Sequence, residues 1–398
     1  MTDRRRRIAV VTTSRADYSH LYWPLRLLRD DARVDLKLIA MGAHLSPEFG
    51  TTVNEIEKDG FAIAARIECL LSSDSDVGMA KTIGLAALSL ADTLGEMRPD
   101  ILLLIADRYE MLAPAAVALA LRIPIAHIEG GEISEGAIDD AVRNALTKMA
   151  HLHFASTFAA RDRIIAMGEE PWRVTRAGAP SLDHLRRSTL PSREELQIKL
   201  EMQLEGSTIV VAYHPVTLAV KSPADTLEEL DELFAALAAV NGQIVFCYPN
   251  SDAGSRALIE RTEKFVAKHG NGKIFVNLDA ATYWSLLREA TAFVGNSSSG
   301  IMETASFALP TVNVGERQRG RERAANVIDA PARRDAIVQA VGRAGSREFR
   351  ESLRGMTNPY GDGTASEKIL EVLTSAPIGK ELLVKKATPL GTQVAATV

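Results

Sequence analysis

The chain has 398 residues, 46% hydrophobic and 24% charged, which is more than one compact core usually absorbs, since soluble domains cluster near roughly 100–150 residues. Forty-six Lys and Arg against 51 Asp and Glu leave a net charge of −5, which argues against nucleic acid or an anionic membrane as partner and requires any anionic ligand to be held locally. Two cysteines, Cys69 and Cys247, make no disulfide framework; Arg4 to Arg7 precede an apolar run too short for an export signal, and no apolar stretch approaches the ~18 residues of a membrane span, so a cytoplasmic enzyme with no membrane partner is expected.

In chain order, strand-like runs at Ile8–Thr12, Val34–Ala40, Ala62–Ile67, Ile101–Ala106, Pro124–Ile128 and Leu152–Ala155 alternate with helical spacing at Tyr18–Arg29, Val77–Met97, Glu110–Leu121 and Gly136–Ala150. The polar stretch from Arg186 to Gly206 reads as a linker or domain boundary. A second series follows at Thr208–Tyr213, Gln243–Cys247, Lys273–Val276, Ala292–Val294 and Thr311–Val314. Alternation of this kind builds parallel sheets. The expected fold class is therefore α/β, with two Rossmann-like doubly wound domains over residues 1–185 and 206–363, a closing helix at 364–375 and a tail at 376–398.

Ligands of open α/β sheets bind beyond the carboxyl ends of the strands, so the residues there carry the chemistry. In the first domain they are Thr12 to Ser19, Asp107 to Glu110 and Glu129 to Glu132; in the second, Tyr213 to Thr217, Pro249 to Gly254 and Gly295 to Gly300. Asn296 to Gly300 lead into a helical segment, Ile301–Phe307, where hydroxyls and free amides can cradle a phosphate without a lysine; an ordinary serine N-cap is the plainer alternative. Arg317, Arg319, Arg321 and Arg323 follow the next strand and either add charge-assisted contacts or are simply solvated. Asp107, Glu129, Asp139 and Asp140 supply carboxylates for acid–base work on a sugar ring. Gly130 and Gly131 either let the backbone approach a ligand or turn the chain. His151 and His153 share one side of a strand, but no third ligand has matching spacing, so no metal site is expected, and no dinucleotide or P-loop motif appears.

Together, Ser14-Arg15-Ala16-Asp17-Tyr18, Asp107-Arg108-Tyr109-Glu110, His127-Ile128-Glu129-Gly130-Gly131-Glu132, Ile138-Asp139-Asp140, His214-Pro215-Val216-Thr217 and Gly295-Asn296-Ser297-Ser298-Ser299-Gly300 resemble the hydrolysing UDP-N-acetylglucosamine 2-epimerases, in order from about Ile8 to Leu373. The resemblance implies two domains of glycosyltransferase-B-like architecture, an active site in the cleft between them, no cofactor, a UDP-sugar as partner, and a homo-oligomer, dimer or tetramer. It implies conversion of UDP-N-acetylglucosamine and water into UDP and N-acetylmannosamine for sialic acid synthesis, by elimination to 2-acetamidoglucal and rehydration. Asp107, Glu129, Asp139 and His214 match the catalytic positions. Ser297 and Ser298 match diphosphate ligands, Glu303 the ribose acid, and Arg15, Ser19, Arg108, Asn250, Asp252 and Arg317 further substrate contacts. The non-hydrolysing epimerases differ at Ile138-Asp139-Asp140 and after His214.

The nearest alternative is the same reaction on UDP-2,4-diacetamido-2,4,6-trideoxyglucose, because motifs acting at carbons 1 and 2 are blind to substituents at carbons 4 and 6. A glycosyltransferase would not need three carboxylates together, and a catalytically dead nucleotide-sugar sensor would have lost them.

Overall fold

The computed structural model describes residues 4–71, 73, 75–135, 138–214, 223–247, 255–276 and 278–386. The first half runs β1 (Arg6–Thr12), α1 (Arg15–Asp30), β2 (Val34–Met41), α2 (Val53–Lys58), β3 (Ile63–Ile67), α3 (Asp76–Met97), β4 (Ile101–Ile105), α4 (Leu112–Ala120), β5 (Ile125–Ile128), α5 (Ile138–Met149), β6 (Leu152–Ala155), α6 (Phe158–Ala166) and β7 (Val174–Arg176). The second runs α7 (His184–Arg187), α8 (Arg193–Leu200), β8 (Thr208–Ala212), α9 (Pro223–Ala238), β9 (Gln243–Cys247), α10 (Ser255–His269), β10 (Gly272–Phe275), α11 (Ala280–Glu289), β11 (Ala292–Gly295), α12 (Ser299–Met302), β12 (Thr311–Val314), β13 (Val327–Ala330), α13 (Arg334–Gly345), α14 (Arg347–Ser352), α15 (Ala365–Ser375) and α16 (Lys380–Leu383).

Two compact units result, one from Met1–Glu132, Ile138–Asp183 and Tyr360–Val398, the other from Ile133–Ala137 and His184–Pro359. In the first, the strands lie in the order β3-β2-β1-β4-β5-β6-β7; in the second, β10-β9-β8-β11-β12-β13. Every pairing is parallel. Each sheet reverses its winding beside its central strand, between β1 and β4 and between β8 and β11, and such switch points are where the loops splay to admit a ligand. All five residues of β4, Ile-Leu-Leu-Leu-Ile, are fully buried, as a parallel strand covered on both faces demands.

Several expectations change. The stretch 186–206 lies just past the division of the chain between Asp183 and His184, but it is no unstructured linker: it holds α8, opened by a capping box in which Ser192 N–H donates to Glu195 (2.8 Å) and Glu195 N–H to Ser192 Oγ (3.2 Å). Its Leu196 and Leu200 are fully buried in the core of the second unit. The edge strands β7 and β13 are too short for periodicity to reveal. α3 does have the length and apolar composition of a membrane-crossing helix, contrary to the expectation that no stretch approaches it; its face of Thr82, Ala86, Leu90 and Leu94 is buried in the first unit. After Pro377 the tail packs on the first unit as far as Lys386: Leu382 is fully buried, and Arg173 donates to the carbonyls of Leu382 (2.8 Å) and Val384 (2.9 Å).

Candidate active site

In the first unit, Asp17 closes the turn after β1. Its two oxygens accept Thr13 N–H (2.7 Å), Ser14 N–H (2.7 Å) and both hydroxyls (3.0 and 2.9 Å), so this motif residue builds the loop. β4 and β5 both leave the sheet through left-handed residues, Ala106 (φ 58°) and Glu129 (φ 64°), a conformation that costs a non-glycine residue of order 1 kcal/mol and concentrates at functional sites. Asp107 follows Ala106 and forms an ion pair with Arg143 of α5, whose side chain is 1% exposed. Asp140 lies 3.8 Å from the same guanidinium. Glu129 meets His20 of α1 at 2.7 Å, and Arg108 donates to fully buried Glu110 at 2.7 Å.

The double glycine is a packing requirement. A Cβ on Gly130 would lie 2.9 Å from Thr147 Oγ1 and 3.0 Å from His127 Nδ1; one on Gly131, at φ 77°, would lie 2.3 Å from the Ala160 carbonyl. The φ of Gly131 fits the turning of the chain, one of the two readings left open, and the distances add a packing demand that neither reading contained. Two buried histidines of this unit are held well below the usual imidazole range. Burial pushes His127 down to about 4 although Ala106 C=O accepts its Nε2 proton at 2.8 Å, and burial likewise holds His44 at about 4 between Thr12 and Thr52. His151 and His153 part company: His151 Nδ1 accepts Ile125 N–H (3.1 Å), while His153 faces Glu169 at 3.3 Å.

In the second unit the loops after β8 and β11 are fastened together. Fully buried Asn296 accepts His214 N–H at 2.7 Å and donates to His214 C=O at 2.9 Å, and its own carbonyl accepts from Arg317 (3.1 Å) and Gln318 (2.9 Å). A side chain on Gly295 would meet the Ala212 carbonyl at 2.0 Å, so the loops approach as closely as backbones can. The helix expected over Ile301–Phe307 is one α-turn, α12, followed by a 3₁₀ turn at Thr304–Phe307. Ser297 Oγ accepts Ser299 N–H (3.4 Å); Ser299 bonds Tyr283 and Glu303, both at 2.5 Å. The arginines after β12 lie on no helix. Arg319 pairs with Glu316 (3.7 Å), Arg323 with Asp329 (3.3 Å), and Arg321 is buried beside Met302.

A family model described as UDP-N-acetylglucosamine 2-epimerase matches residues 26–374. The chain belongs to the UDP-N-acetylglucosamine 2-epimerase family. Among its relatives, the Campylobacter jejuni protein named GDP/UDP-N,N'-diacetylbacillosamine 2-epimerase (hydrolyzing) is 36% identical over 87% of this chain and 90% of its own. The Legionella pneumophila UDP-N,N'-diacetylbacillosamine 2-epimerase (hydrolyzing) is 35% identical over 96% and 98%. The crystal structure of UDP-GlcNAc 2-epimerase from Neisseria meningitidis bound to UDP-GlcNAc, 16% identical, superposes with a TM-score of 0.77 over 92% of this chain and 99% of that one, in keeping with the glycosyltransferase-B-like class. The membership expected from the motifs, that of the hydrolysing epimerases, is thereby shown.

Of the epimerase residues expected from sequence, Asp107 and Glu129 stand at adjacent strand ends and Asp139 is half-buried in the first turn of α5. Arg15 opens α1, and Ser19 Oγ donates to Ala16 C=O (2.8 Å). Ser297, Ser298, Glu303, Arg317 and His214 gather in the second unit about Asn296 and α12. Asn250 and Asp252 lie outside the described residues, as do Pro215, Val216 and Thr217. Sequence reasoning missed His20, Arg143 and the clamp made by Asn296. Arg143 was within reach, since a residue three beyond Asp140 and four beyond Asp139 shares their helix face.

Proposed function

We propose that this chain converts UDP-2,4-diacetamido-2,4,6-trideoxyglucose, which is UDP-N,N'-diacetylbacillosamine, and water into UDP and 2,4-diacetamido-2,4,6-trideoxymannose. The sequence motifs put UDP-N-acetylglucosamine first; the two relatives named for the diacetamido sugar, at 36% and 35% identity over most of their length, shift the balance, and that observation carries the reading. The hydrogen on carbon 2 is not activated by a carbonyl. It leaves as a proton only while the carbon 1 bond to the diphosphate breaks, giving UDP and a 2-acetamido glycal; water then adds its oxygen at carbon 1 and a proton arrives at carbon 2 on the opposite face. The two demands are a positioned carboxylate and a stabilised leaving group.

Asp107, Glu129 and Asp139 are assigned the proton transfers. Paired with Arg143 and His20, Asp107 and Glu129 are held in position. Ser297, Ser298 and His214 are assigned the diphosphate, Glu303 the ribose, and Arg15, Ser19, Arg108, Asn250, Asp252 and Arg317 the rest of the substrate. The test is turnover of three substrates in deuterated water: the UDP-diacetamido sugar, its GDP counterpart and UDP-N-acetylglucosamine. Free manno sugar bearing deuterium at carbon 2, formed fastest from the UDP-diacetamido sugar, is expected. Faster turnover of UDP-N-acetylglucosamine, giving N-acetylmannosamine, restores the other substrate, and UDP release with retained configuration removes the epimerase reading altogether.

A further inference from the structure

Of the five histidines of the first unit, four are buried; the exception is His20, in the second turn of α1. Its Nδ1 lies 2.7 Å from Glu129 Oε1, and the imidazole is the more accessible partner, its side chain 16% exposed against 8% for the carboxylate. His20 directly follows Ser19, one of the residues assigned to substrate, on the helix that leaves the carboxyl end of β1. Glu129 leaves the end of β5 in its left-handed conformation. The pair therefore stands at the edge where an open sheet takes its ligand.

The two acid pairs of this unit differ in what their basic partners can do. A guanidinium does not give up its proton, so Arg143 holds Asp107 and passes nothing on. An imidazole both takes up and releases protons near neutrality. A nitrogen and a carboxylate oxygen come within 2.7 Å only with a proton between them. An imidazole is ordinarily about a hundredfold the stronger base, so Nδ1–H donates to Glu129 and the ring's second proton belongs on Nε2. In such a histidine–carboxylate pair the acid orients the ring and balances the imidazolium that forms.

We propose that His20 is the base that removes the proton from carbon 2, with Glu129 as its positioning residue. The proposal rests on the epimerase reading above and moves Glu129's share of the proton transfers onto the ring beside it. The electron pair of the carbon 2–hydrogen bond becomes the second bond between carbons 1 and 2, the carbon 1–oxygen pair leaves with UDP, and the proton goes to Nε2. Glu129 meets the charge so formed across the Nδ1–H bond. His20 then returns the proton to solvent, and the proton that reaches the opposite face of carbon 2 comes from a different acid. A hydrogen that no carbonyl activates calls for the stronger base of the pair.

Turnover of the UDP-diacetamido sugar and of UDP-N-acetylglucosamine by the full chain tests this. If the unaltered protein turns over neither, the epimerase reading falls and the proposal with it; an active protein isolates His20. His20→Asn keeps an N–H donor at the place of Nδ1 but no base. It is expected to lower kcat by about 10²–10⁴-fold, with KM, UDP affinity by calorimetry and the far-ultraviolet circular dichroism spectrum little changed. His20→Ala is expected to lose as much and to regain at least about tenfold on addition of imidazole, and more with the more basic 4-methylimidazole, because only a proton acceptor responds to basicity. Deuterium at carbon 2 of the substrate is expected to slow the rescued reaction. A His20→Asn protein with the kcat of the unaltered chain would overturn the proposal and leave His20 only as a support for Glu129. So would a folded His20→Ala protein that the imidazoles fail to rescue, or rescue without regard to their basicity; if His20→Ala does not fold, His20→Asn decides alone.

Discussion

In the first unit the loops beyond β4 and β5 carry carboxylates held in pairs, Asp107 with Arg143 and Glu129 with His20. In the second, the loops beyond β8 and β11 carry neutral hydroxyls and a buried amide, with Arg317 joined to a backbone carbonyl. The strand order and the switch are alike in both, so the scaffold does not decide the chemistry. The charge pattern does: a carboxylate that must move a proton needs a partner to fix its ionisation and position, whereas a surface that takes up a diphosphate supplies donors without desolvating a fixed charge beforehand.

The largest expected effect breaks this contrast if the assignment is wrong. Glu129→Gln keeps the shape and the left-handed backbone but removes the acid, and should lower kcat by about 10³–10⁴-fold while leaving UDP affinity by calorimetry unchanged. Ser297→Ala should do the reverse, weakening UDP by about fivefold with a smaller loss of kcat. If Glu129→Gln abolished UDP binding instead, the division of labour between the units would fall.

Asn296→Ala should come next. It removes both hydrogen bonds that tie Asn296 to the His214 backbone, at a cost of about 1–3 kcal/mol. The cost should be confined to the second unit, so differential scanning calorimetry should show one transition lowered and the other in place. A uniform shift of both would mean that the units unfold as one.

The strands were legible because parallel strands buried on both faces are continuous apolar runs: Ile101–Ile105 and Thr208–Ala212 needed no periodicity argument. β7 and β13 were not, being three or four residues long at a sheet edge, and α8 was hidden by its charge although Ser192-Arg193-Glu194-Glu195 is a legible capping signal. At the site, the motifs showed which residues matter and little of what each does. Asp17 belongs to a family motif and builds its turn; Gly130 and Gly131, open to ligand approach or a chain turn, answer to Thr147, His127 and Ala160. His20 was invisible as a partner because a pair across elements leaves no mark in local spacing, whereas Arg143 could be found from the helix face it shares with Asp139 and Asp140.

Acid should separate the two units further. His44 and His127, nearly fully buried, are held at about 4 by burial, and both belong to the first unit. A histidine whose folded value lies below its unfolded one, near 6.5, takes up its proton on unfolding. The folded state is therefore unpenalised above about 6.5 and loses stability as pH falls from there towards 4. At pH 5.5 each contributes roughly 1 kcal/mol of destabilisation. The transition of the first unit should fall between pH 7.5 and 5.5 while that of the second holds, and His44→Gln should flatten the dependence.

Lys385→Met gives the smallest effect and shows whether that acid lability is the histidines' own. Lys385 Nζ donates to the carbonyls of Lys148 (2.7 Å) and Ala150 (2.8 Å) and to Glu169 (3.0 Å), securing the C-terminal segment to the first unit. Lys148 and His153 remain beside Glu169 after the substitution, so the loss should be about 1 kcal/mol. Burial alone would raise Glu169, but the hydrogen bonds from His153, Lys148 and Lys385 outweigh it and hold the carboxyl at about 2. Its contribution is thus complete above about 4.5 and lost only as pH falls towards 2. Lys385 also adds to the burial that holds His151 and His153 down, so the decrement from Lys385→Met should shrink between pH 7.5 and 5.5 while the fall due to His44 and His127 remains; a first-unit pH dependence that vanished in the variant would remove those two as the separate cause.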